Sequence, residues 1–121
     1  MANILLVEDN DDVAALYVDV LEREGHKVHR AAAAYGALLR AVRVNYDLVI
    51  MDLLLQGANG AVATFALRGL GLKAPILVVT GGAMPIDREL VERAGFAGVL
   101  LKPVKIDELV AEVNRQLERK S

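Results

Sequence analysis

Among the runs of consecutive apolar residues along the chain, four are rich in Val, Ile and Leu and each leads into a polar residue: Ile4-Leu5-Leu6-Val7, Leu48-Val49-Ile50-Met51, Ile76-Leu77-Val78-Val79 and Val99-Leu100-Leu101. Short unbroken runs bounded by polar residues are the pattern of strands buried on both faces of a parallel sheet. A fifth run, Lys27-Val28-His29-Arg30-Ala31, is more polar and suits a strand at a sheet edge. Helical periodicity fills the intervals. Behind Asp11 as an N-cap, Val13, Leu16, Tyr17, Val20 and Leu21 recur at helical spacing, and Gly25 supplies a left-handed stop. A second helix is predicted over about residues 34–44 and a third over about 61–70, after a loop that runs from Leu53 to Asn59. Pro85 opens a fourth helix, with Asp87 and Glu89 favouring its positive end and Gly95 closing it. Ile106, Leu109, Val110, Val113 and Leu117 draw the apolar stripe of a fifth.

Strict alternation of five strands and five helices predicts right-handed βαβ crossovers, hence a three-layer, doubly wound α/β fold with a parallel sheet. The order 2-1-3-4-5 puts the polar second strand at an edge and the topological switch between strands one and three, where open α/β sheets bind ligands outside the carboxyl ends of the strands.

Each buried run gives out onto a residue of chemical consequence. Glu8-Asp9 follow the first, Asp52 ends the third strand, Thr80 follows the fourth, and Lys102-Pro103 follow the fifth. Any one of these taken singly reads as a solvated loop residue; their coincidence at one sheet edge is the signal. Three carboxylates brought together repel unless a cation compensates. An oxygen-only donor set suits Mg²⁺, which is usually held by one or two carboxylates, waters and a substrate phosphate. Asp52 can then serve as a nucleophile toward phosphorus, with Thr80 as a hydroxyl donor and Lys102 as a point charge. Asp11 and Asp12 read as helix-start acids. His26 and His29 lack metal spacing and read as surface residues, Tyr17 as core or rim. Gly69-Leu70-Gly71 precedes a strand and lacks a third glycine, so it is a poor dinucleotide signal.

Composition narrows the chemistry further. The 121 residues, 55% of them hydrophobic, are expected to make one globular domain without an effector module. Cysteine is absent, which removes disulfides, thiolate catalysis and Cys-ligated zinc. A net charge of −2 lacks the footprint of a duplex-binding domain, so no direct nucleic-acid contact is expected. No window reaches the roughly 18 apolar residues of a membrane span, and a soluble, cytoplasmic protein is expected.

In their order and placement, Glu8-Asp9, Asp52, Thr80 and Lys102-Pro103 make the chain resemble, over essentially its whole length, the receiver domain of two-component response regulators, the CheY-like family. The resemblance implies a flavodoxin-like (βα)5 fold and a single receiver domain over residues 1–121. It implies phosphorelay signal transduction in which Asp52 takes a phosphoryl group from a phosphohistidine on a histidine kinase or histidine phosphotransfer protein. Mg²⁺, with Mn²⁺ as a substitute, would be held by Asp9 and Asp52 directly, by Glu8 mainly through water, and by the backbone carbonyl of Leu54. It also implies a cis Lys102–Pro103 bond and an output surface formed by the fourth helix, fifth strand and fifth helix, read by a downstream protein or a second copy. Such a chain is a switch that catalyses only its own phosphorylation and dephosphorylation rather than an enzyme acting on other substrates.

Departures from the family pattern are also legible. Gln56 stands where the family usually has Pro, although Gly60 keeps the loop glycine. Val99 occupies the switch position usually given to an aromatic, so inward rotation of a ring behind Thr80 is not available. Leu54 and Gly82 stand where side chains tune access of water, and neither can orient a water by a side-chain hydrogen bond. Rival readings are a vestigial receiver acting as a constitutive protein-binding module, a receiver fragment of a hybrid histidine kinase, an aspartate-nucleophile phosphohydrolase and an FMN protein. The phosphohydrolase wants an acid where Leu54 stands, and 4% aromatic content disfavours an isoalloxazine site. A P-loop NTPase is excluded by the missing G-x-x-x-x-G-K-[ST].

Overall fold

A computed structural model describes residues 1–55, 58–81, 93 and 95–120. Five parallel strands form its main sheet: β1 (Asn3–Val7), β2 (Lys27–Ala31), β3 (Leu48–Asp52), β4 (Ile76–Gly81) and β5 (Gly98–Lys102), in the order β2-β1-β3-β4-β5. Helices α1 (Asp11–Arg23), α2 (Ala34–Ala41) and α3 (Gly60–Gly69) and a C-terminal helix (Ile106–Lys120) complete the described elements. The fourth helix expected from Pro85 lies outside the described residues, apart from Arg93 and the closing Gly95, whose φ is +74°. No helix among the described residues is long and apolar enough to cross a membrane.

The unbroken apolar runs are explained by burial on both sides. Side chains alternate along a strand, so Ile4, Leu6, Leu48, Ile50, Leu77 and Val79 face one way, against Ala14, Tyr17 and Leu21 of α1 and Leu109 and Val113 of the C-terminal helix. Leu5, Val7, Val49, Met51 and Ile76 face the other, against Ala37 of α2 and Ala63 and Leu67 of α3. Only β2 and β5 lie at the sheet's edges. Tyr17 is core.

Several local expectations change. The N-cap of α1 is Asn10, whose Oδ1 accepts from Val13 N at 3.0 Å, while Asp11 and Asp12 occupy the first turn. A residue earlier than expected wins because the cap's side chain must reach the amide three positions on. At the other end Gly25 has φ +93°, and its N–H and that of His26 bond the carbonyls of Glu22 and Leu21, a Schellman closure. Helix α2 stops at Ala41, short of the predicted 44, and Val44 N turns back onto Arg40 O at 3.0 Å to aim the chain into β3. The loop after Asp52 contains a minimal antiparallel hairpin, Leu54–Leu55 against Ala58–Asn59. The histidines are half-buried rather than surface: His26 Nδ1 accepts from Ala2 N at 3.3 Å, and His29 Nδ1 lies 2.8 Å from Tyr46 Oη.

Candidate functional site

Parallel pairing places the carboxyl ends of the strands on one edge, and the register there is specific. Val7 pairs with Met51, Asp52 with Val79, Thr80 with Leu101 and Gly81 with Lys102. Glu8, Asp52, Thr80 and Lys102 therefore arrive at the same level. Glu8 is held there by its own N–H, which donates to Ala31 O at 3.1 Å, and Glu8, Asp52 and Thr80 are almost fully buried.

Carboxylate oxygens of Glu8, Asp9 and Asp52 all lie within 4.8 Å of one another. Lys102 Nζ sits between two of these acids, donating to Glu8 Oε1 at 2.9 Å and to Asp52 Oδ2 at 3.1 Å. Glu8 Oε2 also accepts from Asn10 N at 3.2 Å. Burial pushes the Glu8 carboxyl above its ordinary range; bonds from Lys102 and from Asn10 N–H pull it back, the closeness of Asp52 opposes them, and the net is upward. For Lys102 burial acts downward but the bonds to Glu8 and Asp52 outweigh it, so the ammonium is held above its ordinary value. Thr80 Oγ1 is buried and has no hydrogen-bond partner among the described residues. A buried hydroxyl without a partner costs about 1–3 kcal/mol, and none of the described residues accepts from it.

With its acids ionised, three carboxylates against one ammonium leave the cluster two negative charges in excess. Hard oxygen donors in that number and charge fit a divalent cation of the Mg²⁺ class.

The remaining sequence-predicted positions fall around this cluster. The Lys102–Pro103 bond is cis. Leu54 opens the small hairpin two residues past Asp52, in register with Asn59. Val99, on β5, pairs with Val78 of β4 and is exposed. Gln56 and Gly82 lie outside the described residues.

Two contributors were not legible as such. Arg30, at the end of the edge strand, donates from Nε to the carbonyl of Glu8 at 2.9 Å and places Nη2 2.9 Å from Asp11 Oδ1. It braces the turn that carries the acidic pair, and an isolated Arg on a polar strand carries no sequence signal of that. Gly60 matters for space rather than for backbone freedom: a Cβ there would overlap the carbonyl oxygen of Asp52 and stand 2.8 Å from Leu53 Cα. Its N–H donates to Leu53 O at 3.0 Å, closing the loop onto the end of β3.

A profile of the response regulator receiver domain matches residues 4–114. Among curated relatives, the transcriptional regulatory protein TcrA of Mycobacterium tuberculosis is 33% identical over 117 residues, 97% of this chain and 46% of that protein. The response regulator ArlR of Staphylococcus haemolyticus is 30% identical over 119 residues, 98% of this chain and 54% of that protein. The sensor histidine kinase AruS of Pseudomonas aeruginosa is 37% identical over 116 residues, 88% of this chain and 11% of that protein. The chain thus spans between 11% and 54% of the length of these relatives. A CheY-like response regulator receiver domain protein from Methanospirillum hungatei shares the fold at a TM-score of 0.92 and 24% identity, covering 99% of this chain and 96% of that one. Chemotaxis protein CheY4 of Vibrio cholerae gives 0.88 at 26% identity, covering 95% and 98%. The profile, the strand order and the residues gathered at the strand ends agree, and the chain belongs to the receiver domain family of response regulators.

Proposed function

We propose that Asp52 accepts a phosphoryl group from a phosphohistidine on a histidine kinase or phosphotransfer protein, and that the modified chain presents an altered surface to a downstream protein or a second copy. A carboxylate oxygen of Asp52 attacks phosphorus; the P–O bond forms as the P–N bond breaks, and the departing imidazole nitrogen keeps the electron pair and takes up a proton. The observation that carries this reading is the placement of Lys102 Nζ between Glu8 and Asp52, 2.9 and 3.1 Å away. An ammonium there is set to follow charge from the free carboxylate to the acyl phosphate.

Asp9 and Asp52, with Glu8 through water and the Leu54 carbonyl, would hold Mg²⁺, or Mn²⁺ in its place. Bound there, the ion supplies neutralisation of charge on the phosphoryl oxygens. Thr80 offers its unpartnered hydroxyl to one of those oxygens, which gives the buried Oγ1 its acceptor only in the phosphorylated state. That differential bond, together with a shift of Lys102, biases a two-state surface. The output surface would comprise the exposed side of β5, where Val99 and Leu101 stand, with the C-terminal helix and the segment between β4 and β5. The similarity to a sensor kinase favours a second setting for the same chemistry, a receiver within a hybrid histidine kinase.

Phosphate-affinity electrophoresis after treatment with acetyl phosphate and Mg²⁺ tests the reading. The parent should shift, and Asp52→Asn should not. An unshifted parent, or a variant that shifts equally, overturns it and leaves a constitutive binding module.

A further inference from the structure

Between residues 32 and 74 the charge is one-sided. Arg40, Arg43, Arg68 and Lys73 are basic, and only Asp47 and Asp52 are acidic. Both acids are used inside the fold: Asp47 Oδ2 accepts from Asn3 N at 2.8 Å, and Asp52 belongs to the buried cluster. Helices α2 and α3 thus turn no acid to solvent in a chain whose net charge is −2.

Their outward positions are instead apolar at helical spacing. Tyr35 and Leu39 on α2 with Val42 just past its end, and Val62 and Phe65 on α3 with Leu70 just past its end, are all exposed, Tyr35 to 71% and Val62 to 65%. A surface helix of a globular protein normally sets polar residues opposite its core stripe, and one that is apolar all round is a buried helix. Helix α3 carries no charge before Arg68, while its Ala63, Thr64 and Leu67 are already buried on the sheet side. The two helices pack side by side, and their stripes converge where Val42 and Leu70 line a cleft of about 460 Å³ with Leu72 and Lys73 on it.

We propose that this face docks an amphipathic helix of a partner protein whose apolar stripe is flanked by Asp and Glu. Charge decides the occupant. A second copy laid face to face by a twofold axis would bring the same acid-free surface against itself and leave its cations without an acidic partner, whereas specific complexes set opposite charges against each other. Arg68 is committed to the carbonyls of Leu72, Ala74 and Gly95, so the exposed Arg40, Arg43 and Lys73 are the cations that reach an acidic neighbour. Two adjacent apolar stripes that converge on a cleft suit a helix with anchors at i, i+3 or i+4, and i+7 better than they suit a flat lipid surface. The surface is independent of the chemistry at Asp52.

Titration of ¹⁵N-labelled protein with two synthetic amphipathic peptides of identical Leu stripe, one flanked by Glu and one by Lys, tests the proposal. The Glu peptide should bind at least tenfold tighter and shift amides of α2 and α3. The double variant Arg43→Glu, Lys73→Glu should reverse the preference, and Phe65→Glu, or Val62→Glu should the first not fold, should abolish binding while the amide spectrum stays dispersed. In this cysteine-free chain, Val62→Cys should be modified rapidly by a thiol reagent. Equal affinity for the two peptides, no binding of either, or a slowly modified Cys overturns the proposal. So does a concentration-dependent dimer that Phe65→Glu dissociates, or uptake by anionic vesicles in preference to the peptide.

Discussion

Lys102 and Glu8, separated by 94 residues in sequence, meet at 2.9 Å at the carboxyl edge of the sheet. Lys102 also donates to Asp52 at 3.1 Å, and Asp9 brings a third carboxylate to the cluster. Replacing Lys102 by Met leaves those acids facing one another. Breaking a buried ion pair from one side costs about 3–5 kcal/mol, and the partial exposure of Lys102 reduces this to about 2–3 kcal/mol, or a fall in Tm of roughly 10 °C in EDTA. Millimolar Mg²⁺ should restore much of it. Thermal unfolding with and without the ion checks this, and an unchanged Tm in EDTA would contradict it.

Thr80→Val separates stability from chemistry. The hydroxyl it removes has no partner among the described residues, so the unphosphorylated protein should keep its stability or gain up to about 1 kcal/mol. Loss of a donor aimed at developing charge typically costs about 10²-fold or more. Phosphorylation of Asp52 by acetyl phosphate, followed over time, should slow by at least tenfold while the Tm holds; a clear loss of stability would show that the hydroxyl is already satisfied.

The raised Glu8 carboxyl makes a prediction about pH. Its folded-state value lies above the ordinary 4.5, so the folded protein binds more protons than the unfolded chain in the interval between them, and stability falls as pH rises. The contribution is fullest below about pH 4.5 and is lost as pH climbs through the folded-state value. In EDTA, Glu8→Gln should therefore overtake the parent in urea midpoint as pH increases from 4.5 to 8. Parallel curves for the two proteins over that range would remove the basis for the claim.

Gly60→Ala should be among the costliest single-methyl changes in the chain. The added Cβ meets backbone atoms of Asp52 and Leu53 rather than a yielding side chain, so the loop or the end of β3 must move. Overpacking of this kind costs about 1–3 kcal/mol. Urea unfolding should show that loss, and the amide resonance of Asp52 should shift. Gly69→Ala, where a Cβ meets nothing within 4 Å, is the matched control and should change stability little.

The sheet order and the acid cluster were readable because both rest on patterns that tertiary context reinforces. Leu48–Asp52 is buried at every position, so its composition is constrained twice, by the faces and by the pairing. Glu8, Asp52, Thr80 and Lys102 each occupy a strand end, and parallel pairing brings strand ends together without further information. What escaped notice depends on side-chain reach and on contacts with no period. Asn10 and Asp11 are equally good caps by type, and only the bond to Val13 N chooses between them. The brace from Arg30 to the Glu8 carbonyl crosses between neighbouring strands through a single long side chain. In α3 the apolar positions alone do not say which of them face the sheet, and only packing separates the buried Ala63 and Leu67 from the exposed Val62 and Phe65.

Delivery of Lys102 by the final strand has an implication for synthesis. In a growing polypeptide Glu8, Asp9 and Asp52 are made before Lys102, so the ammonium that bonds Glu8 and Asp52 reaches the rim of the sheet only with β5. Closure by β5 therefore supplies an edge strand and the counter-charge in one step.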